Sequence, residues 1–122
     1  MTRKLRILIA DDSDLLRSAI YGLISRIENC KICGEARDGA EALAKAAELS
    51  PDVVLLDLSI PVIHGLQVAQ TLAKDFPSIT VVIMSEQDEL LLKHISDENG
   101  IKYCIAKSTL AIGLAPLLGG LE

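Results

Sequence analysis

Aromatic side chains are almost missing from this chain of 122 residues: there is no tryptophan, one phenylalanine and two tyrosines. Half of the residues are nonetheless hydrophobic, so a core has to be built from Leu, Ile, Val and Ala. Cysteine is scarce as well, and three is an odd number, which suits a reducing compartment better than a disulfide framework. Cys30 and Cys33 form a C-x-x-C, but in an extended segment residues three apart point to opposite faces and cannot chelate one metal. Positive charge is also short. A formal net charge of −5 argues against nucleic acid as a direct partner, because phosphate backbones demand Lys and Arg. No apolar run reaches the length of a membrane span, and the basic start (Arg3, Lys4, Arg6) leads into only a short apolar stretch. Neither a span nor a secretory leader is expected, and a cytoplasmic placement is. Linkers and low-complexity segments are absent too, so residues 1–122 are read as one domain.

What is present is alternation. Short β-rich runs at 5–10, 30–36, 52–57, 79–84 and 102–106 are separated by segments with apolar residues at helical spacing, at 14–28, 38–50, 65–76 and 88–99. Ser13 reads as the N-cap of the first helix and Gly100 as the C-terminal cap of the fourth. The helices before Pro51 and Pro77 stop because the residue ahead of a proline avoids the helical region. Five strands alternating with helices predict an α/β fold, a parallel sheet covered on both faces. In such sheets ligands bind at the carboxyl ends of the strands.

Four of those ends carry chemistry. The first strand runs into Asp11-Asp12, the third ends in Asp57, the fourth in Ser85 and the fifth in Lys107. The stretch "PDVVLLDLSIP" is the most telling, since an apolar strand does not bury a lone carboxylate without a partner. Taken singly, Asp11 and Asp12 would serve as helix caps, Asp57 as a turn residue, Ser85 as a surface hydroxyl and Lys107 as a solvated charge. Together they form three carboxylates that repel one another at one rim. A hard divalent cation such as Mg²⁺ relieves that repulsion, and the hydroxyl and ammonium are left to bind phosphoryl oxygens. The set reads as phosphoryl transfer onto a carboxylate.

These motifs, "ILIADDSDLLR", "GEARDGAEAL", "PDVVLLDLSIPVIHGLQV", Ser85 and "GIKYCIAK", resemble the receiver domain of two-component response regulators, most of all the subgroup with helix-turn-helix output. The resemblance implies a flavodoxin-like sheet in the order 2-1-3-4-5, one of the common orders of doubly wound sheets. It implies that Asp57 accepts a phosphoryl group from a kinase phosphohistidine. It further implies that Asp11, Asp12, Asp57 and the backbone carbonyl of Ser59 hold Mg²⁺, that Lys107 contacts the phosphoryl oxygens, and that Ser85 moves to hydrogen-bond them. The implied partner is a sensor histidine kinase or a phosphotransfer protein, and the implied role is a signalling domain rather than an enzyme.

Three features depart from that pattern. Glu86 stands beside the switch hydroxyl where relatives have a small residue, and its charge disfavours an incoming phosphoryl group unless the side chain swings to solvent. Tyr103 occupies the usual glycine position and Cys104 the usual switch aromatic; a one-residue shift along a strand flips the face, so Tyr103 does not replace it. The tail "STLAIGLAPLLGGL" is uncharged between Lys107 and Glu122 and contains Gly113 and Pro116, both unfavourable to helix. It reads either as a partner-binding helix or as a shortened helix left apolar at the edge of a longer chain. A homodimer through the fourth helix, fifth strand and tail follows from the first reading. No helix-turn-helix segment is seen, so direct DNA binding by this chain is not expected. His64 reads as a loop residue and His94 as an exposed residue of the fourth helix.

Two rival functions stand beside the phosphorylated receiver. A haloacid-dehalogenase-type phosphatase needs a second aspartate two residues after Asp57, where Ser59 stands. A degenerate receiver, acting as a phosphorylation-independent interaction module, is supported by Glu86 and Cys104 and opposed by the intact acids and Lys107. Nucleotide or flavin binding lacks the glycine-rich loop it needs after the first strand.

Overall fold

A computed structural model describes residues 4–121; Arg3 of the basic start and the terminal Glu122 lie outside the described residues. The strands are β1 (Leu5–Ala10), β2 (Cys30–Ala36), β3 (Val53–Asp57), β4 (Thr80–Ser85) and β5 (Tyr103–Ala106). Between and after them run α1 (Asp14–Ile24), α2 (Gly39–Leu49), α3 (Gly65–Asp75), α4 (Glu89–Glu98) and α5 (Leu110–Gly119). All strand pairs are parallel, in the order β2-β1-β3-β4-β5, as the alternation and the resemblance predicted.

The aliphatic runs follow from having helices on both sides. Leu8, Ala10, Val54, Leu56 and Ile83 face one layer with Ala42, Ala46, Val68, Leu72 and Leu92 of α2, α3 and α4. Their strand neighbours Ile7, Ile9, Val53, Leu55, Val82 and Met84 face the other layer, with Ile20 and Ile24 of α1 and Leu110, Leu114 and Leu118 of α5. Successive strand residues enter opposite layers, so no position is free to be polar until a strand ends. Each fully buried Leu or Ile contributes about 1.5–3 kcal/mol, which is why a nearly aromatic-free core suffices.

Local details correct two expectations and bear out a third, the helical tail. The first helix stops at Ile24 rather than residue 28: the Ser25 hydroxyl donates to the Gly22 carbonyl (2.9 Å), and Asn29 takes φ 70° to reverse the chain. Ile27 still packs into the α1 layer, so apolar spacing outlasts the helix. Lys107 is not the last residue of the fifth strand but opens a 3-10 turn, Lys107–Thr109. The tail is a helix through both Gly113 and Pro116, because Leu110, Leu114 and Leu118 recur every fourth residue on the buried side and Pro116 sits on the exposed one. Packing overrides the two poor helix formers, and the exposed apolar face is narrower than the sequence implied.

Strand β2 carries an irregularity opposite β1: Ile7 pairs with Ile32 but Leu8 with Gly34, leaving Cys33 as the extra residue. Cys30 packs in the α1/α5 layer and Cys33 in the other, so the C-x-x-C is split between faces as expected. Tyr103 and Cys104 divide in the same way, with Cys104 on the α4 side, and β4–β5 pairing shows no bulge that would bring Tyr103 round.

Candidate functional site

The carboxyl rim of the sheet collects the predicted residues. Asp57 closes β3 and is only 3% exposed. Asp11 follows β1 and is fully buried, whereas Asp12 beside it is exposed. Carboxylate oxygens of Asp11, Asp12 and Asp57 all lie within 4.8 Å of one another. From the far side of the sheet the Lys107 ammonium reaches both buried acids, at 2.9 Å from Asp11 Oδ2 and 3.2 Å from Asp57 Oδ1.

The surrounding backbone fixes these groups. Asp57 Oδ1 accepts the Ser59 N–H (3.1 Å), and Asp11 Oδ1 accepts the Ser13 N–H (2.8 Å) while the Ser13 hydroxyl caps α1 by accepting the Leu16 N–H (3.1 Å). The Ser59 carbonyl accepts no hydrogen bond from any described residue. Gly65 is required where α3 begins: a Cβ there would lie 2.6 Å from the Asp57 carbonyl oxygen. In the loop between, Val62 is held at φ 75°, a strained setting for a β-branched residue.

The electrostatics are those of charges crowded without water. Burial pushes the Asp57 carboxyl above the usual carboxylate range; Asp11 pushes the same way, and the Ser59 N–H and Lys107 only partly oppose them. Burial pulls the Lys107 ammonium down, yet its ion pairs with Asp11 and Asp57 win and raise it above its ordinary value. Asp11 Oδ2, although close to Lys107, has no hydrogen bond of good geometry. A buried carboxylate oxygen left in that state, among oxygen donors only, fits a hard divalent cation.

Ser85 ends β4 and is buried, but its Oγ accepts the Gln87 N–H (3.1 Å) and makes no bond to Asp57 or Lys107. Glu86 is exposed and forms no hydrogen bond or ion pair with a described residue, so it takes the solvent-facing option. His64 does more than the loop role expected of it, capping α3 through Nδ1, which accepts the Leu66 N–H (3.2 Å). His94 is exposed as expected, with Nε2 3.2 Å from Glu98.

One buried charge escaped the sequence reading. Arg17 donates from Nη1 to the Asp11 carbonyl (2.6 Å) and from Nε to Glu35 Oε1 of β2 (3.1 Å), and it pairs with Asp14. Its signal was register: Arg17, Ile20 and Ile24 share the buried side of α1, and a cation in core register demands partners.

Residues 7–114 match the response regulator receiver domain. The chain belongs to that family. Among curated relatives, the receiver is 40% identical over 85 residues to response regulator GacA of Pseudomonas viridiflava, covering 70% of this chain and 40% of GacA. It is 31% identical over 102 residues to transcriptional regulatory protein LnrK of Bacillus subtilis, covering 83% of this chain and 46% of LnrK. The response regulator domain of Thermotoga maritima CheB superposes with a TM-score of 0.81 at 29% identity, covering 98% of this chain and 94% of that one. The receiver thus spans less than half the length of the two curated relatives, which are regulators by name, and it is a two-component phosphorelay signalling domain. Among the described residues no helix is long and apolar enough to cross a membrane.

Proposed function

We propose that this receiver accepts a phosphoryl group on Asp57 from the phosphohistidine of a sensor kinase or phosphotransfer protein, with Mg²⁺ as cofactor. The observation that carries this reading is the buried Asp57 carboxylate at the end of β3, with Lys107 3.2 Å from it. An Asp57 oxygen attacks phosphorus, the P–N bond breaks, and its electron pair leaves on the histidine ring. The Lys107 ammonium, already between Asp11 and Asp57, is placed to neutralise charge on the phosphoryl oxygens. The Ser85 hydroxyl, whose proton its bond from Gln87 leaves unused, donates to one of those oxygens after a shift of the β4–α4 loop. Asp11, Asp12, Asp57 and the Ser59 carbonyl would hold Mg²⁺, which when bound would supply charge neutralisation for the entering phosphoryl group.

Phosphorylation is read out on the α4–β5–α5 side, by a partner or a second copy in the cytoplasm. A groove of about 500 Å³ there is lined by Leu92, Lys93, Cys104, Ile112 and Leu117, and Ile112 is 81% exposed. Cys104 fills little of that groove, which favours a weaker coupling to Ser85 than an aromatic would give. It also keeps alive the second reading, a receiver used without phosphorylation. Direct nucleic-acid binding by this chain is not part of the proposal.

Incubation with acetyl phosphate and Mg²⁺, followed by intact mass measurement, tests the acceptor. One added phosphoryl group, abolished by EDTA, is expected. An unchanged mass leaves the interaction module as the function.

A further inference from the structure

The β1–α1 turn is fastened by a cation that the proposed phosphotransfer does not use. The Arg17 side chain is 9% exposed and reaches three elements of structure: the Asp11 carbonyl at 2.6 Å, Glu35 of β2 at 3.1 Å, and Asp14 at the start of α1. Holding a guanidinium there is costly, and a linear apolar side chain would pack along the same path without the desolvation. The two carboxylates largely cancel its charge, so it adds little field at the acid cluster. Geometry is what it adds.

Asp11 is in fact restrained at three further atoms. Its N–H donates to the Ala36 carbonyl (3.0 Å), its carbonyl accepts Arg17, and its Oδ1 accepts the Ser13 N–H (2.8 Å). Oδ2 is then the one polar atom of Asp11 without a well-formed hydrogen bond, and it is the atom 2.9 Å from the Lys107 ammonium. We infer that Arg17 is a positioning residue for the divalent cation: it draws the Asp11 carbonyl away from the site and sets the turn so that the Asp11 carboxylate and its neighbour Asp12 face the metal. Glu35 and Asp14 orient the guanidinium fork, which a lysine cannot reproduce. The inference rests on the Mg²⁺-dependent reading above.

Mg²⁺ titration of isotope-labelled protein, followed at the Asp11, Asp12 and Ser13 amides, tests it. Outer-sphere partners of metal ligands typically cost about 10–100-fold in affinity when removed. Arg17→Met should therefore raise the Mg²⁺ midpoint by about ten-fold, and Arg17→Lys by less. The rate of phosphorylation by acetyl phosphate at saturating Mg²⁺ should stay within about two-fold, since the lost interaction affects binding and not the transfer step. A variant that melts earlier but keeps the wild-type midpoint overturns the inference, because a purely structural residue would behave that way. If Arg17→Met does not fold, Arg17→Lys decides alone: an unchanged midpoint overturns the inference. Wild-type protein that gives no Mg²⁺ response defeats the phosphotransfer reading itself, whereas a responding wild type with an unaffected variant defeats only the role of Arg17.

Discussion

The half of the receiver that carries the proposed acceptor and the half that faces α4 and α5 are built to different standards. Around β1, β3 and α1, β3 is buried along its whole length, and Asp57, Lys107 and Arg17 each have partners within 3.2 Å on different elements. On the other side β5 is four residues long, α4 buries only Leu92 and Ser96, and Leu90 is 85% exposed. The Ser96 hydroxyl is buried and makes no hydrogen bond among the described residues. The comparison teaches that the proposed chemistry sits in a frame tied across several elements, while α4, on the side proposed to report on it, is held by little burial. Elements of low local stability are the ones able to shift for a small input of free energy.

The largest effect is expected from the rigid half. Asp57→Asn should abolish phosphoryl incorporation while leaving the far-UV circular dichroism unchanged; retained labelling would move the acceptor elsewhere. The same variant should be more stable than wild type without metal. A carboxyl raised by burial contributes most stability below the ordinary carboxylate range and loses it as pH climbs through the raised value. Asparagine has no such loss, so urea midpoints in EDTA should fall with rising pH in that interval for wild type and stay flatter for the variant.

Next comes Lys107→Ala, which leaves Asp11 and Asp57 facing each other without a counter-charge. A loss of about 3 kcal/mol at neutral pH is expected, with Mg²⁺ restoring part of it. Equal losses with and without Mg²⁺ would separate the lysine from the metal site. Smaller, and opposite in sign, is Ser96→Ala in the loose half. Removing an unpartnered buried hydroxyl from a helix should gain about 1 kcal/mol and slow amide exchange in α4. Were exchange in α4 unaltered, the hydroxyl would not be what loosens that helix. The smallest effect is expected from Glu86→Ala. Because Glu86 is exposed and unpaired, phosphorylation rates should change by less than about two-fold; a larger acceleration would mean that its charge reaches the pocket.

The parallel sheet and the collection of Asp11, Asp12, Asp57, Ser85 and Lys107 at its strand ends were legible because both rest on period and spacing, whereas the strand order came from the resemblance to the receiver family. A strand buried on both faces has to be aliphatic throughout, and polar residues then mark where it ends. What escaped depended on tertiary contacts. Arg17 looks like any helix-surface cation until Asp11 and Glu35 are seen to converge on it. The end of α1 was hidden because Ile27 returns to the core after the helix has stopped. The helical tail was expected in spite of Gly113 and Pro116; what the sequence did not show is that three buried leucines hold it in place. Glu86 could not be assigned from sequence either, since its exposure is decided by the path of a loop.

The two outer strands carry a consequence of their own. An edge strand normally offers an unpaired row of backbone donors and acceptors to any passing chain. In β2 the extra residue Cys33 interrupts that row, and Lys31 and Glu35 stand exposed along it. β5 at the opposite edge is too short to template more than a few bonds. Both margins of the sheet are therefore poor seeds for strand-to-strand growth. The fold is guarded in this way against fibrous aggregation, and any pairing with another protein falls to its helices.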